Sequence, residues 1–346
     1  MRRTALCALV AALAVGGLTA APARAAAPHG PCTAGATGIG CHFDVAPGTY
    51  DVSVVLGGAT AARTSVTAET RRAMLPETAT TAGRTVRRSF TVDVRTPEGE
   101  PTGATGTPGL DLTFGGAAPA LSGIRVTPAP ARSVRKILLV GDSTVCDQPG
   151  APYAGWGQQL PQHLRRGAAV ANHADSGEST VSFLADPRLF DTVEARIHRG
   201  DLVLVQLAHN DKQTDEATYR ANLTTMVDRI RARGGRPVLV TPIVRRWFNA
   251  DGTLNNPTAL LVNGLGVDHP AVTREVAAAR DVPLIDLTAR TKQLVESLGT
   301  EGSKALYLTN EARDNTHTSE HGARVYAELV RDALRTQHLL PERDLR

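Results

Sequence analysis

Ile137-Leu138-Leu139-Val140-Gly141-Asp142-Ser143-Thr144 is the stretch on which the fold turns. Its four apolar residues run without the alternation of a half-exposed strand, which predicts a strand covered on both faces. Short apolar runs recur at 168–171, 202–207, 237–240 and 283–287. Helical patterns lie between them. Tyr219, Leu223, Met226, Val227 and Ile230 share one helical face, which Gly234-Gly235 closes, and Tyr326, Leu329, Val330, Ala333 and Leu334 share another. Strand alternating with helix predicts an α/β domain over 134–337, a doubly wound parallel sheet with helices on both sides. Its active site is expected beyond the carboxyl ends of the strands.

Upstream the pattern changes. Residues 127–133, beginning Thr127-Pro128-Ala129-Pro130, read as a stiff Pro-rich linker. Residues 28–126 read as all-β: Tyr50, Val52 and Val54 alternate, as do the runs 90–94 and 110–114, and Gly57-Gly58, Pro97-Glu98-Gly99 and Gly115-Gly116 mark turns. Short strands at this spacing predict a small β-sandwich. Its four aromatic residues, Phe43, Tyr50, Phe90 and Phe114, suit a core better than an exposed platform. The sandwich is therefore either a carbohydrate-binding module of galactose-binding-like type or a structural spacer.

Residues 1–25 pair Arg2-Arg3 with an apolar run and a small-residue site at Ala23-Arg24-Ala25. This is the pattern of a secretory signal peptide, too short in its apolar part for a membrane span. The expected location is extracellular, with no membrane association after cleavage. The formal charge of the chain is +4; the segment carries three arginines and no acid, so +1 remains. That charge predicts no nucleic-acid partner. In an oxidising compartment Cys32 and Cys41 could close a short disulfide loop, adding about 2–3 kcal/mol. Cys146 is left over, either a reactive thiol or, the favoured reading, a small buried residue. A monomer is expected.

The polar clusters fall at strand ends or just before the last helix. Ser143 follows its strand by three residues on a turn containing Gly141, and a helix starting soon after would favour developing negative charge there. A serine hydroxyl needs a base. Asp314-Asn315-Thr316-His317 supplies one, because a carboxylate three residues away can fix the tautomer of the imidazole and stabilise its charged form. Thr318 or Ser319 could cap the last helix. Asn210, after the third strand, and Gly177, after the second, could supply donors to an oxyanion.

Gly-Asp-Ser at 141–143, Gly177, Asn210-Asp211 and Asp314-x-x-His317 resemble, in order, the four blocks of the SGNH (GDSL) hydrolases. With 241–246 and 282–287, the chain resembles the rhamnogalacturonan acetylesterases of carbohydrate esterase family 12. The resemblance implies an SGNH, flavodoxin-like three-layer fold. It also implies a Ser143 nucleophile, a His317 base oriented by Asp314, and an oxyanion hole from the Ser143 and Gly177 N–H groups and the Asn210 amide. The substrate would be an acetylated plant polysaccharide, with no metal or organic cofactor. Two positions depart from the family: Ala208 stands where it usually has Gly, and Glu178 where it often has Arg.

Other readings stay beside these. His317 and His321 have the spacing of two zinc ligands, but no third ligand or intervening base accompanies them. His209 could be a second base, though a structural or substrate-edge role is favoured. Arg245-Arg246-Trp247 opens a long loop to about Asp268; it is either a solvated loop or a groove wall, with arginines on uronate carboxylates and Trp247 on a sugar ring. The rival functions are an esterase for acetylxylan, lipid or other acyl esters, and a non-catalytic glycan-binding protein.

Overall fold

A computed structural model describes residues 31–36, 38–130 and 134–346; the expected signal peptide lies outside them. The first eight strands are β1 (Cys32–Gly35), β2 (Gly38–Phe43), β3 (Gly48–Gly58), β4 (Ala62–Ala68), β5 (Arg72–Thr80), β6 (Arg84–Val94), β7 (Leu110–Ala118) and β8 (Leu121–Pro128). They form two sheets, β1-β2-β7-β4-β5 and β6-β3-β8. Alternation places Val52, Val54 and Leu56 of β3 inside, against Val66, Leu112 and Phe114 of the facing sheet. Cys32 and Cys41 stand opposite each other in the β1–β2 ladder and are disulfide-bonded. One boundary is corrected. Thr127 and Pro128 pair with Asp51 and Tyr50 as the end of β8, so the expected linker gives its first two residues to the sandwich. Proline is tolerated there because β8 is an edge strand.

The parallel sheet has the order β10-β9-β11-β12-β13, from β9 (Arg135–Gly141), β10 (Ala168–Asn172), β11 (Leu202–Gln206), β12 (Arg236–Val240) and the short β13 (Leu284–Ile285). Every pair in it is parallel. The unbroken apolar run of β9 splits between two cores. Ile137 and Leu139 join one, with Tyr326 and Val330; Leu138 and Val140 join the other, with Phe190, Leu223 and Met226. Helices α1 (Trp156–Gln159), α6 (Leu287–Gly302) and α8 (Glu320–Thr336) cover the first face. Helices α2 (Thr180–Ala185), α3 (Phe190–Arg196), α4 (Glu216–Ala232) and α5 (His269–Ala279) cover the second. Ser319 caps α8, its hydroxyl accepting from the Gly322 N–H. A hairpin of β14 (Tyr307–Leu308) and β15 (Asp314–Thr318), with the single turn α7 (Thr309–Ala312) between, precedes α8. The domain does not stop at 337: Leu339, Leu340 and Leu345 are buried in the first core.

The two layers share a polar, buried seam. Asp147, fully buried, faces Arg72 at 3.0 Å and Arg95 at 3.5 Å, and accepts from Asn172 Nδ2 at 2.8 Å. Arg71 donates to the Gln148 and Tyr153 carbonyls and pairs with Glu320. Arg71 and Glu69 both have positive φ, 55° and 51°, which the surrounding contacts must hold in place.

Burial pushes the Glu69 carboxyl up to about 8; nearby Arg72 opposes the rise, while Glu98 and Asp111 add to it. Among the described residues neither Glu69 side-chain oxygen has a hydrogen-bond partner. A carboxyl raised this way holds its proton in the folded state where the unfolded chain has lost it. Stability is therefore expected to fall as pH climbs from about 4.5 to about 8. Glu69→Gln should remove that slope and add about 1–2 kcal/mol at pH 8, read by denaturant melts across the range. An unchanged slope would place the pH dependence elsewhere.

Candidate active site

Ser143 stands on a turn that backbone geometry and neighbouring side chains fix. A Cβ on Gly141 would lie 2.6 Å from Val145 Cγ2 and 3.1 Å from the Gln206 carbonyl, so only glycine lets the chain leave β9 so sharply. Asp142, buried, accepts from the Thr144 N–H at 2.9 Å and hydroxyl at 2.7 Å, and lies 3.2 Å from His209 Nδ1. Gln206, at the end of β11, donates to the Thr144 hydroxyl and accepts from Trp156 Nε1. The expected helix after Ser143 is not there. Val145 and Cys146 N–H close a single turn on the Asp142 carbonyl, and the next helix is the four-residue α1. Any local field at Ser143 comes from these few amides rather than a helix dipole.

Strand β15 brings the base across. Ser143 Oγ lies 2.9 Å from His317 Nε2, although the two are 174 positions apart in the chain. On the far side His317 Nδ1 lies 2.6 Å from Asp314 Oδ2, which places the ring proton on Nδ1 and leaves Nε2 free to accept from the serine. The other Asp314 oxygen accepts from the Thr316 and His317 N–H groups at 2.7 and 3.0 Å. Burial alone would raise the Asp314 carboxyl; the His317 N–H, the His317 ring and the Thr316 N–H outweigh it and hold the carboxyl below its usual range. Tyr153 sets its ring edge-on to His317, with centroids 5.5 Å apart.

Gly177 has φ of 84° and open space where a Cβ would be, beside the serine turn. Asn210 Nδ2 donates to the Glu178 carbonyl at 3.1 Å, which ties it to the Gly177 turn and leaves its second amide hydrogen available. Buried Asp211 fixes that arrangement by accepting from the Thr180 N–H and hydroxyl and from the Thr214 hydroxyl. Ala208, which departs from the glycine usual in the family it resembles, is not among the residues with positive φ and sits buried without strain.

The loop read as either solvated or a groove wall divides. Arg246 is corrected: it is buried and points inward, donating to Ser303 Oγ, Asn315 Oδ1 and the Thr300 carbonyl, while its own N–H reaches the Asn315 carbonyl. Its guanidinium is spent on holding the loop to the Asp314–His317 hairpin. Arg245 donates to the His209 carbonyl at 3.1 Å and, with His209, Lys212 and Asn263, lines a cavity of about 150 Å³. Trp247 is 54% exposed. Cys146 is fully buried; burial and then the neighbouring Glu100 charge push its thiol well above the usual range, so it packs rather than reacts.

Three contributors escaped the sequence. Gln148 Nε2 donates to the Ser143 carbonyl at 2.9 Å and to Ser176 Oγ at 3.3 Å, joining the serine turn to the Gly177 turn. Glu100 reaches in from the sandwich, where its Oε1 accepts from the Ser176 N–H at 2.7 Å and the Cys146 thiol at 3.1 Å. Thr102 of the same loop donates through its N–H and hydroxyl to Asp175 at 2.6 and 2.9 Å. The only sequence signal for this loop is its turn residues. Glu100→Ala is expected to lower kcat on an aryl acetate about tenfold with KM nearly unchanged, because the Gly177 turn loses its brace. A fall in the melting temperature without a change in kcat would make Glu100 merely structural.

Residues 139–325 match the profile of the GDSL-like Lipase/Acylhydrolase family. Rhamnogalacturonan acetylesterase RhgT of Bacillus subtilis (strain 168) is 39% identical over 215 residues, covering 58% of this chain and 89% of that protein. The probable rhamnogalacturonan acetylesterase YesY of the same strain is 28% identical over 223 residues, 60% of this chain and 98% of YesY. The crystal structure of protein YXIM_BACsu from Bacillus subtilis aligns with 26% identity and a TM-score of 0.54, covering 87% of this chain and 81% of its own. That coverage is more than the parallel-sheet domain alone supplies, so the likeness takes in sandwich residues as well.

Proposed function

The chain belongs to the GDSL-like lipase/acylhydrolase family and is a carboxylic ester hydrolase with the SGNH fold, and on that premise we propose that it is a secreted acetylesterase acting on acetylated rhamnogalacturonan. The observation that carries the reading is the unbroken array of Ser143 Oγ, His317 and Asp314 at 2.9 and 2.6 Å. In this reading Ser143 Oγ attacks the acetyl carbonyl and its proton passes to His317 Nε2. Asp314 holds the ring and stabilises the imidazolium. The oxyanion is met by the Ser143 and Gly177 N–H groups and the Asn210 amide. Collapse expels the sugar oxygen, which takes the proton from His317. Water, deprotonated by His317, then attacks the acetyl-enzyme, releasing acetate and restoring Ser143.

Substrate class rests on the names of the two relatives, RhgT and YesY. Arg245, half-buried and lining the cavity beside His209, is a cation suited to a uronate carboxylate. Secretion rests on the pattern of residues 1–25 and agrees with a disulfide at Cys32–Cys41, a bond that persists in oxidising compartments. The test is acetate release from acetylated rhamnogalacturonan, acetylated homogalacturonan and acetylxylan at matched acetyl concentration. The rhamnogalacturonan polymer is expected to give the highest kcat/KM. Equal or faster release from acetylxylan would overturn the substrate assignment and leave the esterase intact.

A further inference from the structure

Far from Ser143, where the outer face of β6-β3-β8 meets the catalytic domain, lies a trough of about 780 Å³. Its floor is shallow because Ser53, Ser89 and Gly123 are small. The ladder register sets Arg87 across from Val55 and Arg125 across from Ser53, so the two arginines flank the central strand diagonally. Arg88 lies beside them, and Arg165, Arg166, Arg343 and Arg346 close the other wall. Among the described residues, seven of the thirteen that line it are arginine and none is acidic.

This concentration is out of proportion to the chain, whose formal charge is only +4. Little nearby neutralises it. Arg166 pairs with Asp51 at 2.8 Å, and Arg343 reaches Asp344 only at 4.0 Å. Arg165 and Arg346 donate to main-chain carbonyls instead of carboxylates. Burial, and then the charges of Arg165 and Arg88, lower Arg346 to about 10, so these guanidinium groups repel one another. Like charges held together in a concave site suit an anion that bridges them, and the guanidinium fork matches carboxylates two oxygens at a time. Among the described residues no aromatic side chain lines the trough, so neither sugar rings nor nucleobases would stack there. The ligand is read by its charges.

We propose that this trough is a second binding site, for the uronate carboxylates of an acidic polysaccharide, and that it tethers the polymer whose acetyl groups Ser143 removes. The proposal rests on the polysaccharide reading above. Arg165 and Arg166 lie just before β10, and Ser143 just beyond the carboxyl end of β9. The two sites are thus separated by about the 20 Å length of a seven-residue strand, a span that a polymer bridges and a small ester does not. Tethering raises the local concentration of acetyl groups, so it acts on KM for the polymer and leaves the chemical step alone.

The test compares the full chain with an Arg87→Glu/Arg125→Glu variant, both exposed positions outside the catalytic machinery. Binding to fully deacetylated polygalacturonate is measured by calorimetry, with neutral xylan and duplex DNA as comparison ligands. The variant should bind polygalacturonate at least about tenfold more weakly, show a raised KM on acetylated rhamnogalacturonan, and keep its kcat on an aryl acetate. Equal binding by both proteins would overturn the site, and so would binding of neutral xylan as tight as that of polygalacturonate. Tighter binding of duplex DNA than of polygalacturonate would overturn the uronate assignment. If polygalacturonate binds through these arginines while acetylated rhamnogalacturonan releases no acetate, the site stands and the proposed substrate falls.

Discussion

Ser143→Ala is expected to lower kcat for acetate release by about a million-fold, leaving a residue of activity about a thousand-fold above the uncatalysed reaction. The loss is large because the hydroxyl is the only group in the array that can form the acyl bond, and the base and its orienter have nothing to activate without it. His317→Ala should cost about the same. Asp314→Asn should cost less, about ten thousand-fold, because the ring would lose its orientation and charge partner while the nucleophile stayed in place. The three losses should not add: Ser143→Ala/His317→Ala should be no worse than either change alone. Steady-state release of nitrophenol from an aryl acetate reads all four variants. Appreciable turnover by Ser143→Ala would remove the serine from the mechanism. Strict additivity would mean that Ser143 and His317 act separately despite the 2.9 Å contact.

The second large effect is on stability. Asp147→Ala should destabilise the protein by about 3–5 kcal/mol, because it strands two guanidinium groups in a seam where neither reaches water. Arg72 and Arg95 are 1% and 4% exposed, and their shared carboxylate lies 3.0 and 3.5 Å away. Burial lowers Arg95 to about 10 even with that carboxylate present. Replacing all three residues together, Arg72→Met/Arg95→Leu/Asp147→Leu, should restore much of the loss, since no unpaired charge then remains. Denaturant titration of the single and triple variants checks this. A loss below about 1 kcal/mol for Asp147→Ala would show that water reaches the seam.

The parallel sheet was legible because buried strands write themselves as apolar runs, and β9 alone, by feeding Leu138 and Leu139 to opposite cores, announces cover on both faces. The site was legible for a related reason: turns after apolar runs made Ser143, Gly177 and Asn210 stand out, and the Asp314–His317 spacing before the last helix marked the base. What escaped depends on contacts between distant residues. Arg246 reads as a solvent-facing charge until Asn315 and Ser303 close around it. Arg72 and Arg95 sit in strand-like surroundings as ordinary surface arginines, and only a partner in the other domain reveals that they are buried. Glu100 gave no clue, since an acid in a Pro/Gly-rich loop is almost always solvated.

Glu100 and Thr102 bear on modularity as well as catalysis. A module joined by a tether can be exchanged, duplicated or lost without consequence for its neighbour. Here the sandwich lends two side chains to the Asp175–Gly177 turn and two guanidinium groups to a carboxylate just behind the serine. Removing or exchanging this sandwich would leave Asp147 a buried carboxylate without its cations and take the partners of Asp175 and Ser176 away. The two halves are therefore not interchangeable parts, because the stability of one depends on charges that the other supplies.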